Sequence, residues 1–302
     1  MGNFGYACIN MTLGKKDVTT NRTMIRKTFD ARGIKYASEL ALKNCQDLIK
    51  ILVWNKENNI SFFRLTSNLF PWGSEYELET LPDYEEISKS LYSAGLFAKN
   101  NGIRITSHPG PFNKLCSSDN SVLCNTITDL KIHGQVFDMM GLERTPYAKI
   151  NIHVGASYGN REATADVFCR NFDLLPESVR TRLTVENDDK ESLFSTKQLY
   201  DLIYKNTEIP IVHDQHHHTF CNSGQSQKEA MHIAYETWKN VKPVIHYSES
   251  KSEESGDSRI KPQAHSDFVL RKIDTFGLDV DVMIEAKFKE LALKKYLELH
   301  EK

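Results

Sequence analysis

Residues 209–218 read IPIVHDQHHH, an apolar run that leads directly into a cluster of ionisable side chains. The run 209–214 is rich in β-branched residues and has a proline near its start, which is typical of a short buried strand. Four of the chain's eleven histidines fall within the six positions 213–218. In parallel barrels, side chains at the carboxyl ends of the strands form the active site. If the chain folds in this way, residues 209–218 predict a strand whose last residues belong to a functional site.

The same pattern recurs along the chain. Eight strand-like runs are flanked by Pro, Gly, Asn or Asp, at residues 4–9, 60–66, 103–107, 148–153, 182–186, 209–214, 243–246 and 279–285. Helical periodicity separates them, at residues 37–54, 84–99, 126–140, 164–175, 196–205, 229–240 and 286–299. Eight alternations of strand and helix predict an α/β fold, a (β/α)8 TIM barrel that forms one domain over residues 1–302. A doubly wound open sheet is the alternative.

Composition narrows the class of protein. Lys and Arg number 38 against 40 Asp and Glu, a net charge of −2, so a polyanionic partner has to be held by a local patch or by metal ions. Six cysteines contain no C-x-x-C pair, which argues against a zinc finger or a redox motif and favours a reduced, intracellular chain. There is no run of about 18 apolar residues, so we expect no membrane span.

Polar residues at or just past the strand ends form the candidate site. They are His108, His153, Glu186, Asp214, His217, His246 and Glu285. Burying these groups together without partners would cost several kcal/mol per charge, and a metal centre removes that cost. Nitrogen and oxygen ligands without thiolate suit Zn²⁺, Mn²⁺ or Fe²⁺, and their number indicates two or three ions. The histidines on helical patterns, His133, His232 and His300, are expected to be structural.

Several segments resemble motifs of the UV damage endonuclease family, which is similar in fold to endonuclease IV and the xylose-isomerase-like barrels. They are GYACINMTLG (5–14), TTNRT (19–23), FRLTSNLFPW (63–72), SHPGPF (107–112), INIHVGASYGNRE (150–162), VENDD (185–189), DQHHH (214–218) and HSDF (265–268). The resemblance covers nearly the whole chain. It implies hydrolysis of the phosphodiester immediately 5′ to UV photoproducts, cyclobutane dimers or 6-4 products, in double-stranded DNA. It also implies two or three divalent ions, with Mn²⁺ first and Zn²⁺ or Mg²⁺ as alternatives.

The resemblance also implies roles for individual residues. The metal ligands would be His108, His153, Glu186, Asp214, His217, His246, His265 and Glu285, which adds His265 to the strand-end set. Glu186, as a bridging carboxylate, together with His217, His246 and Glu285, is expected to be catalytic. Tyr6, Asn10, Pro111 and Phe112 are expected to contact a flipped-out damaged dinucleotide, with Phe112 as an apolar wedge. Basic residues expected to hold the DNA backbone are Lys15, Lys16, Arg22, Arg161 and Lys251.

Three positions depart from the family pattern. Glu75 is the nearest candidate for a histidine that the family has shortly after the segment ending at Trp72, and we expect it to ligate a metal ion. Val244 stands where the family has a lysine that can be carbamylated, two residues before His246. Pro111 replaces a glutamine that wedges into the duplex, so damage probing is expected to fall mainly on Phe112.

Other functions stay open from the sequence. An abasic-site endonuclease or another xylose-isomerase-like metal enzyme would use a similar ligand set, because the fold does not fix the reaction. The changes at Val244 and Pro111 allow a third alternative, a damage-binding protein whose catalysis has decayed. In each case we expect a monomer without membrane association, in the cytoplasm of a prokaryote, in a nucleus or associated with a virus.

Overall fold

The strands form one closed barrel. A computed structural model describes residues 2–301. In this range eight parallel strands pair in chain order, and the eighth pairs with the first. Their bounds are β1 Phe4–Ala7, β2 Phe62–Leu65, β3 Arg104–Ser107, β4 Ile150–His153, β5 Leu183–Glu186, β6 Ile211–Asp214, β7 Val244–Tyr247 and β8 Asp281–Ile284. The predicted TIM barrel is confirmed. The doubly wound sheet is wrong, because such a sheet has two free edges and this one has closed.

Helices lie between the strands and surround the barrel. They are α1 Met11–Gly14, α2 Arg26–Glu57, α3 Tyr84–Asn100, α4 Asn120–Met139, α5 Arg161–Phe172, α6 Glu177–Arg180, α7 Thr196–Leu199, α8 Lys205–Thr207, α9 Gln215–His218, α10 Gln227–Glu236, α11 Lys251–Ser255 and α12 Lys289–His300. A π-helical stretch, Tyr200–Tyr204, joins α7 to α8. Over residues 2–301, no helix is long and apolar enough to cross a membrane.

Helix α2 differs most from its prediction. The apolar periodicity predicts a start at residue 37, whereas the helix begins at Arg26. Gly33 interrupts it with φ 64° and ψ −162°, a conformation that a side chain would disfavour. The added segment, residues 26–36, is rich in charged side chains, so the periodicity of buried residues does not reveal it.

Each strand directs alternate side chains toward the helices and toward the barrel interior. Outward side chains such as Phe63, Ile105 and Val185 pack under the helices and belong to the main apolar core. The interior holds a second, smaller apolar cluster that includes Ala7, Phe62, Val212, Val244 and Met283. Most other interior positions are polar or charged, which is why the strands do not read as uniformly apolar runs.

A buried ion pair occupies the amino-terminal end of the barrel interior. Arg104 Nη1 lies 2.9 Å from Asp281 Oδ2, and both side chains are almost fully inaccessible, at 0% and 1%. The guanidinium also donates to the backbone carbonyl oxygens of Lys242 and Tyr147. These added hydrogen bonds offset the desolvation of the two charges.

Strand register aligns the functional residues at the opposite, carboxyl-terminal end. His153 on β4 is the register partner of Glu186 on β5, and Asp214 on β6 is the partner of His246 on β7. Register partners on adjacent parallel strands direct their side chains to the same face of the sheet. The register therefore brings side chains that are far apart in sequence together inside the carboxyl-terminal end of the barrel.

The connection between β7 and β8, residues 248–280, folds back over this end of the barrel. His265 forms an isolated antiparallel bridge with Ser250. Lys251 Nζ lies 2.8 Å from Glu254 Oε2 and 2.7 Å from Asp267 Oδ2. Glu254 also accepts hydrogen bonds from two backbone N–H groups just after His265. This long connection is therefore held by ion pairs.

Candidate active site

Glu186 lies at the centre of the ionisable cluster, and each of its carboxylate oxygens faces a different pair of histidines. Oε2 is 3.1 Å from His108 Nε2 and 3.0 Å from His246 Nδ1. Oε1 is 3.4 Å from His217 Nδ1 and 3.8 Å from His153 Nε2. Within each set of three residues, the potential ligand atoms lie within 4.8 Å of one another. Two such sets that share one carboxylate could hold two ions, with Glu186 as a ligand of both.

Two further carboxylates lie beside Glu186. Glu285 Oε1 is 3.1 Å from His246 Nδ1, and Glu285 Oε2 is 3.7 Å from His265 Nδ1. Asp214 Oδ1 accepts a hydrogen bond of 2.8 Å from the backbone N–H of His217. The structure thus brings the eight ligand candidates other than Glu75 to the same end of the barrel.

Buried ligand atoms without hydrogen bonds indicate that the cluster suits metal ions. Asp214 Oδ2 is buried and has no hydrogen-bond partner among residues 2–301. His246 Nδ1 also makes no hydrogen bond within that range, although two carboxylate oxygens lie within 3.1 Å of it. An orphaned buried polar atom costs about 1–3 kcal/mol, and coordination of a cation would remove that cost. Imidazole nitrogen and carboxylate oxygen are suitable ligands for Mn²⁺ and Zn²⁺.

The charges of the cluster favour positive charge at its centre. Burial opposes the charge of Glu186, but His246 and His153 keep the pKa of this carboxyl well below its usual range. Burial also opposes the charge of His153, yet Glu186 and Asp188 raise its pKa to about 10. Burial lowers the pKa of His108 to about 4, so this imidazole is neutral, the form that coordinates metals. A cation entering the cluster would therefore displace a proton from His153.

The sequence patterns do not single out two residues that contact the ligands. Asn151 donates a hydrogen bond to Glu186 Oε2, and its own Oδ1 accepts one of 2.7 Å from Thr184. Asp188 Oδ1 lies 3.4 Å from His153 Nδ1. Strand alternation is the signal for Asn151, which stands two residues before His153 on the same face. Asp188 lies in the VENDD segment just past β5.

Lys149 places an amine inside the barrel although Val244 replaces the lysine that the family resemblance implies. It directly precedes β4 and shares the inward face with Asn151 and His153. Its Nζ lies 3.2 Å from His246 Nε2, and burial lowers the pKa of Lys149 to about 7. The barrel thus keeps a lysine against the strand-seven histidine, but a different strand contributes it.

The structure does not bring Glu75 into the cluster, which corrects the expectation that it ligates a metal ion. Glu75 ends an exposed 3₁₀ turn, Gly73–Glu75. Its Oε1 pairs with Arg26 Nη1 at 2.9 Å, and its side chain is 39% exposed. The turn directs the carboxylate toward α2 rather than toward the barrel axis.

Tyr6 and Asn10 are also corrected, because neither is accessible to DNA. Tyr6 faces outward from β1, is 0% exposed, and donates a hydrogen bond of 2.7 Å to Asn55 on α2. Asn10 is 2% exposed; it caps α1 through Leu13 N and donates to the Tyr6 hydroxyl. Both residues brace the first strand against α2.

Phe112 and Pro111 lie on the surface, as a role in DNA contact requires. The Phe112 side chain is 67% exposed in the loop after β3. It borders a cavity of about 640 Å³ that is also lined by Asn68, Trp72 and Asn125. The segments that line this cavity follow the carboxyl ends of β1, β2 and β3, so it opens on the same side of the barrel as the ionisable cluster.

The four histidines of residues 213–218 divide between two environments. His213 faces outward and bridges Thr196 Oγ1 and Gln227 Oε1, both at 2.9 Å. His217 turns inward to the cluster, whereas His218 Nε2 contacts the carbonyl oxygen of Gln225. His216 packs edge-on against the His265 ring. The density of histidines therefore reflects one ligand candidate, His217, and three residues with other contacts.

Three of the five basic residues expected to hold DNA are engaged within the protein. Arg22 is ion-paired at 2.7 Å with a buried carboxylate. Arg161 donates to backbone carbonyl oxygens, and Lys251 belongs to the ion pairs of residues 248–280. Lys15 and Lys16 are exposed and stay candidates.

A closed α/β barrel with a buried histidine–carboxylate cluster at its carboxyl end defines a TIM-barrel protein with a candidate metal centre. Residues 2–302 match the UV-endonuclease UvdE family, and the chain belongs to that family.

Relatives of known name are similar over almost the whole chain. The UV-damage endonuclease of Schizosaccharomyces pombe is 32% identical over 97% of this chain, which spans about half (49%) of that protein. The UV DNA damage endonuclease of Bacillus cereus strain Q1 is 31% identical, covering 97% of this chain and 93% of its own length. The crystal structure of SacUVDE is 31% identical with a TM-score of 0.85, over 100% of this chain and 98% of that one.

Proposed function

We propose that the chain is an endonuclease that hydrolyses the phosphodiester immediately 5′ to UV photoproducts in double-stranded DNA, using divalent ions. Family membership and the names of its relatives support endonuclease activity on UV-damaged DNA. The observation that carries metal dependence is Glu186, each of whose oxygens faces its own pair of histidines. We also propose that residues 1–302 act as one monomeric domain in a DNA-containing compartment.

Two ligand sets follow from the shared carboxylate. His108 and His246 would hold one ion with Glu186, and His153 and His217 would hold the other with Glu186. Asp214, His265 and Glu285 would complete these sets or hold a third ion. We propose Mn²⁺, with Zn²⁺ or Mg²⁺ as alternatives. When bound, such ions supply Lewis acidity and lower the pKa of a coordinated water.

The protein's own residues orient the groups that we assign to catalysis, Glu186, His217, His246 and Glu285. Asn151 donates to Glu186 and so fixes the rotation of its carboxylate. His217 Nδ1 lies 2.9 Å from the Asn187 carbonyl oxygen, a contact that leaves Nε2 free for coordination. Contacts of this kind hold ligands in the orientation that binding requires.

Recognition of damage would rest on Phe112 and the cavity beside it. A duplex hides its phosphodiester from a cluster recessed in a barrel, so the poorly stacked photoproduct would leave the helix. The exposed Phe112 ring would fill the space left in the base stack as an apolar wedge. The backbone at Pro111 would direct this ring toward the DNA. Abasic-site cleavage and damage binding without cleavage are the competing functions.

A nicking assay tests the proposal. A 5′-labelled duplex with one photoproduct would be incubated with Mn²⁺ or with EDTA, beside an undamaged duplex and an abasic-site duplex. We expect a cut immediately 5′ to the photoproduct that requires the metal ion. Glu186→Gln should lower the rate at least about 100-fold, because it removes the shared charge. Glu298→Gln, at an exposed position of α12, is the matched control.

The other outcomes decide between the alternatives. Cleavage at the abasic site alone would replace the proposed substrate. Tight binding to damaged DNA without a cut under Mn²⁺, Zn²⁺ or Mg²⁺ would indicate decayed catalysis. Cleavage in EDTA at the native rate would overturn metal dependence.

A further inference from the structure

We propose that Arg64 restricts Glu285 to one metal-binding oxygen and offsets part of the negative charge of the cluster. This inference rests on the proposed metal dependence. Arg64 would act through Glu285, so it is a positioning residue and not a catalytic one.

The two carboxylate oxygens of Glu285 have different neighbours. Arg64 Nη1 forms an ion pair with Oε1, and both side chains are 12% exposed. The same Oε1 also lies 3.1 Å from His246 Nδ1, but only the guanidinium is a fixed cation that holds this oxygen. Oε2 faces His265 Nδ1 at 3.7 Å and is the oxygen left for an ion. Glu186 differs from this arrangement, because its ion pairs within residues 2–301 are all with histidines and none is with an arginine.

Strand β1 allows Arg64 to reach Glu285 across the barrel wall. Arg64 lies on β2 and Glu285 directly follows β8, and these strands flank β1 on either side. The register partner of Arg64 on β1 is Ala7. The small side chain of Ala7 leaves space between β2 and β8 for the guanidinium.

The ion pair also changes the charge balance of the site. The cluster contains four carboxylates, those of Glu186, Asp188, Asp214 and Glu285, and Arg64 adds a fixed positive charge beside them. An arginine side chain stays protonated in proteins, so this positive charge is fixed. Removing Arg64 would therefore make the site more anionic and give Glu285 a second free oxygen. Mn²⁺ should then bind more tightly, but with Glu285 in the wrong position.

The test is a Mn²⁺ titration of Arg64→Gln by calorimetry and by the electron paramagnetic resonance signal of free Mn²⁺. We expect the apparent affinity for Mn²⁺ to rise about tenfold, because a nearby positive charge is lost. The kcat on photoproduct DNA should fall about 10–100-fold, the usual effect of losing a group that orients a ligand, with KM little changed. Arg144→Gln is the matched control, since Arg144 also pairs with carboxylates but lies half-exposed on the surface. Its Mn²⁺ affinity should equal that of the native protein.

Several results would overturn the inference. Weaker or unchanged Mn²⁺ affinity in folded Arg64→Gln would mean that the arginine only supports the fold. A raised KM with native kcat and Mn²⁺ affinity would mean that it contacts the DNA phosphate. If Arg64→Gln does not fold, Arg64→Lys is the deciding variant, because lysine keeps the charge but has a different reach and donor geometry. Near-native Mn²⁺ affinity with at least tenfold lower kcat would support the inference. A native kcat would refute it. If the native protein binds Mn²⁺ but cuts no DNA, the proposed function fails while the titration still tests Arg64.

Discussion

Glu186 is the residue on which the other ligands converge, and its anionic form depends on them. Burial alone would favour the protonated acid, but His246 and His153 hold its pKa well below the usual range. The charges are thus mutually stabilised in the metal-free protein. A proton on His153, whose pKa is raised to about 10, supplies positive charge that a metal ion would otherwise supply. The same groups should therefore couple stability to pH when the metal is removed.

Lys149 and His153 should give the metal-free protein opposite pH dependences. Burial lowers the pKa of Lys149 from 10.5 to about 7, so between these values the unfolded chain binds more protons and stability rises with pH. Burial opposes the charge of His153, but Glu186 and Asp188 raise its pKa from 6.5 to about 10. Its contribution is complete below pH 6.5 and is lost as pH rises through 10.

Urea denaturation of EDTA-treated protein at pH 7, 8 and 9 would separate the two groups. Relative to the native chain, Lys149→Met should make the free energy of unfolding fall more steeply with pH. His153→Gln should make it rise, and each change in slope is at most about 1.4 kcal/mol per pH unit for one proton. Parallel profiles for the three proteins would contradict this assignment of the buried charges.

Phe112 should matter for duplex DNA and not for metal binding. Phe112→Ala should lower the nicking rate on a photoproduct duplex roughly 10–100-fold, the effect of losing one aromatic stacking contact. Phe112→Tyr, which keeps an aromatic ring, is the control and should stay near the native rate. Mn²⁺ affinity should be unchanged in both variants. An Ala variant that cuts the duplex at the native rate would exclude the wedge.

At the scale of elements, the strands position the ligands and the connection 248–280 positions His265. The strands are rigid because both neighbours pair with them, whereas the connection depends on Lys251, Glu254 and Asp267. Among the ligand candidates, His265 is therefore the one most easily separated from the others.

Glu254→Gln should loosen this connection without altering the barrel. The amide loses the charge that pairs with Lys251 and weakens the hydrogen bonds to the turn after His265. We expect faster proteolytic cleavage within residues 248–280 and a higher Mn²⁺ concentration for half-maximal nicking, both measured beside Asp257→Asn as a control. Asp257 pairs only locally with Arg259, which is largely exposed. Equal protease sensitivity in both variants would refute this role of Glu254.

At the scale of the whole molecule, the barrel separates its functional end from a structural one. The cluster with unpartnered ligand atoms lies at the carboxyl ends of the strands, while the Arg104–Asp281 pair at the other end is fully satisfied. The interior is thus polar at both ends, for different reasons. The free energy of unfolding should be most sensitive to substitutions where the charges are paired and buried.

Breaking the Arg104–Asp281 pair should be strongly destabilising. Asp281→Asn should lower the free energy of unfolding by about 3–5 kcal/mol, because it leaves the buried guanidinium without a counter-charge. The double variant Arg104→Met with Asp281→Leu should lose less free energy of unfolding than the sum of the losses in Arg104→Met alone and in Asp281→Leu alone. Urea denaturation measures both. Additive losses would show that the two charges do not interact.

The positions of the strands and most of the ligand candidates were predictable from sequence. Strand-length apolar runs end in His153, Glu186 and Asp214, and a closed parallel barrel directs all such ends to one face. Local sequence thus determines both the element and the end at which a polar residue stands. Glu75 shows the limit, because its turn departs from the strand and directs the side chain outward.

Only the tertiary structure decided which side chains meet. Tyr6 and Asn10 turn away from the site because strand alternation places Tyr6 against Asn55. Lys149 reaches His246 from β4, and the Arg64 guanidinium reaches Glu285 past Ala7. The sequence by itself determined the barrel and the ligand types, since these follow from local periodicity and from residues at strand ends. The contacts across the barrel depend on register and on the small residues between strands, which only the folded chain specifies.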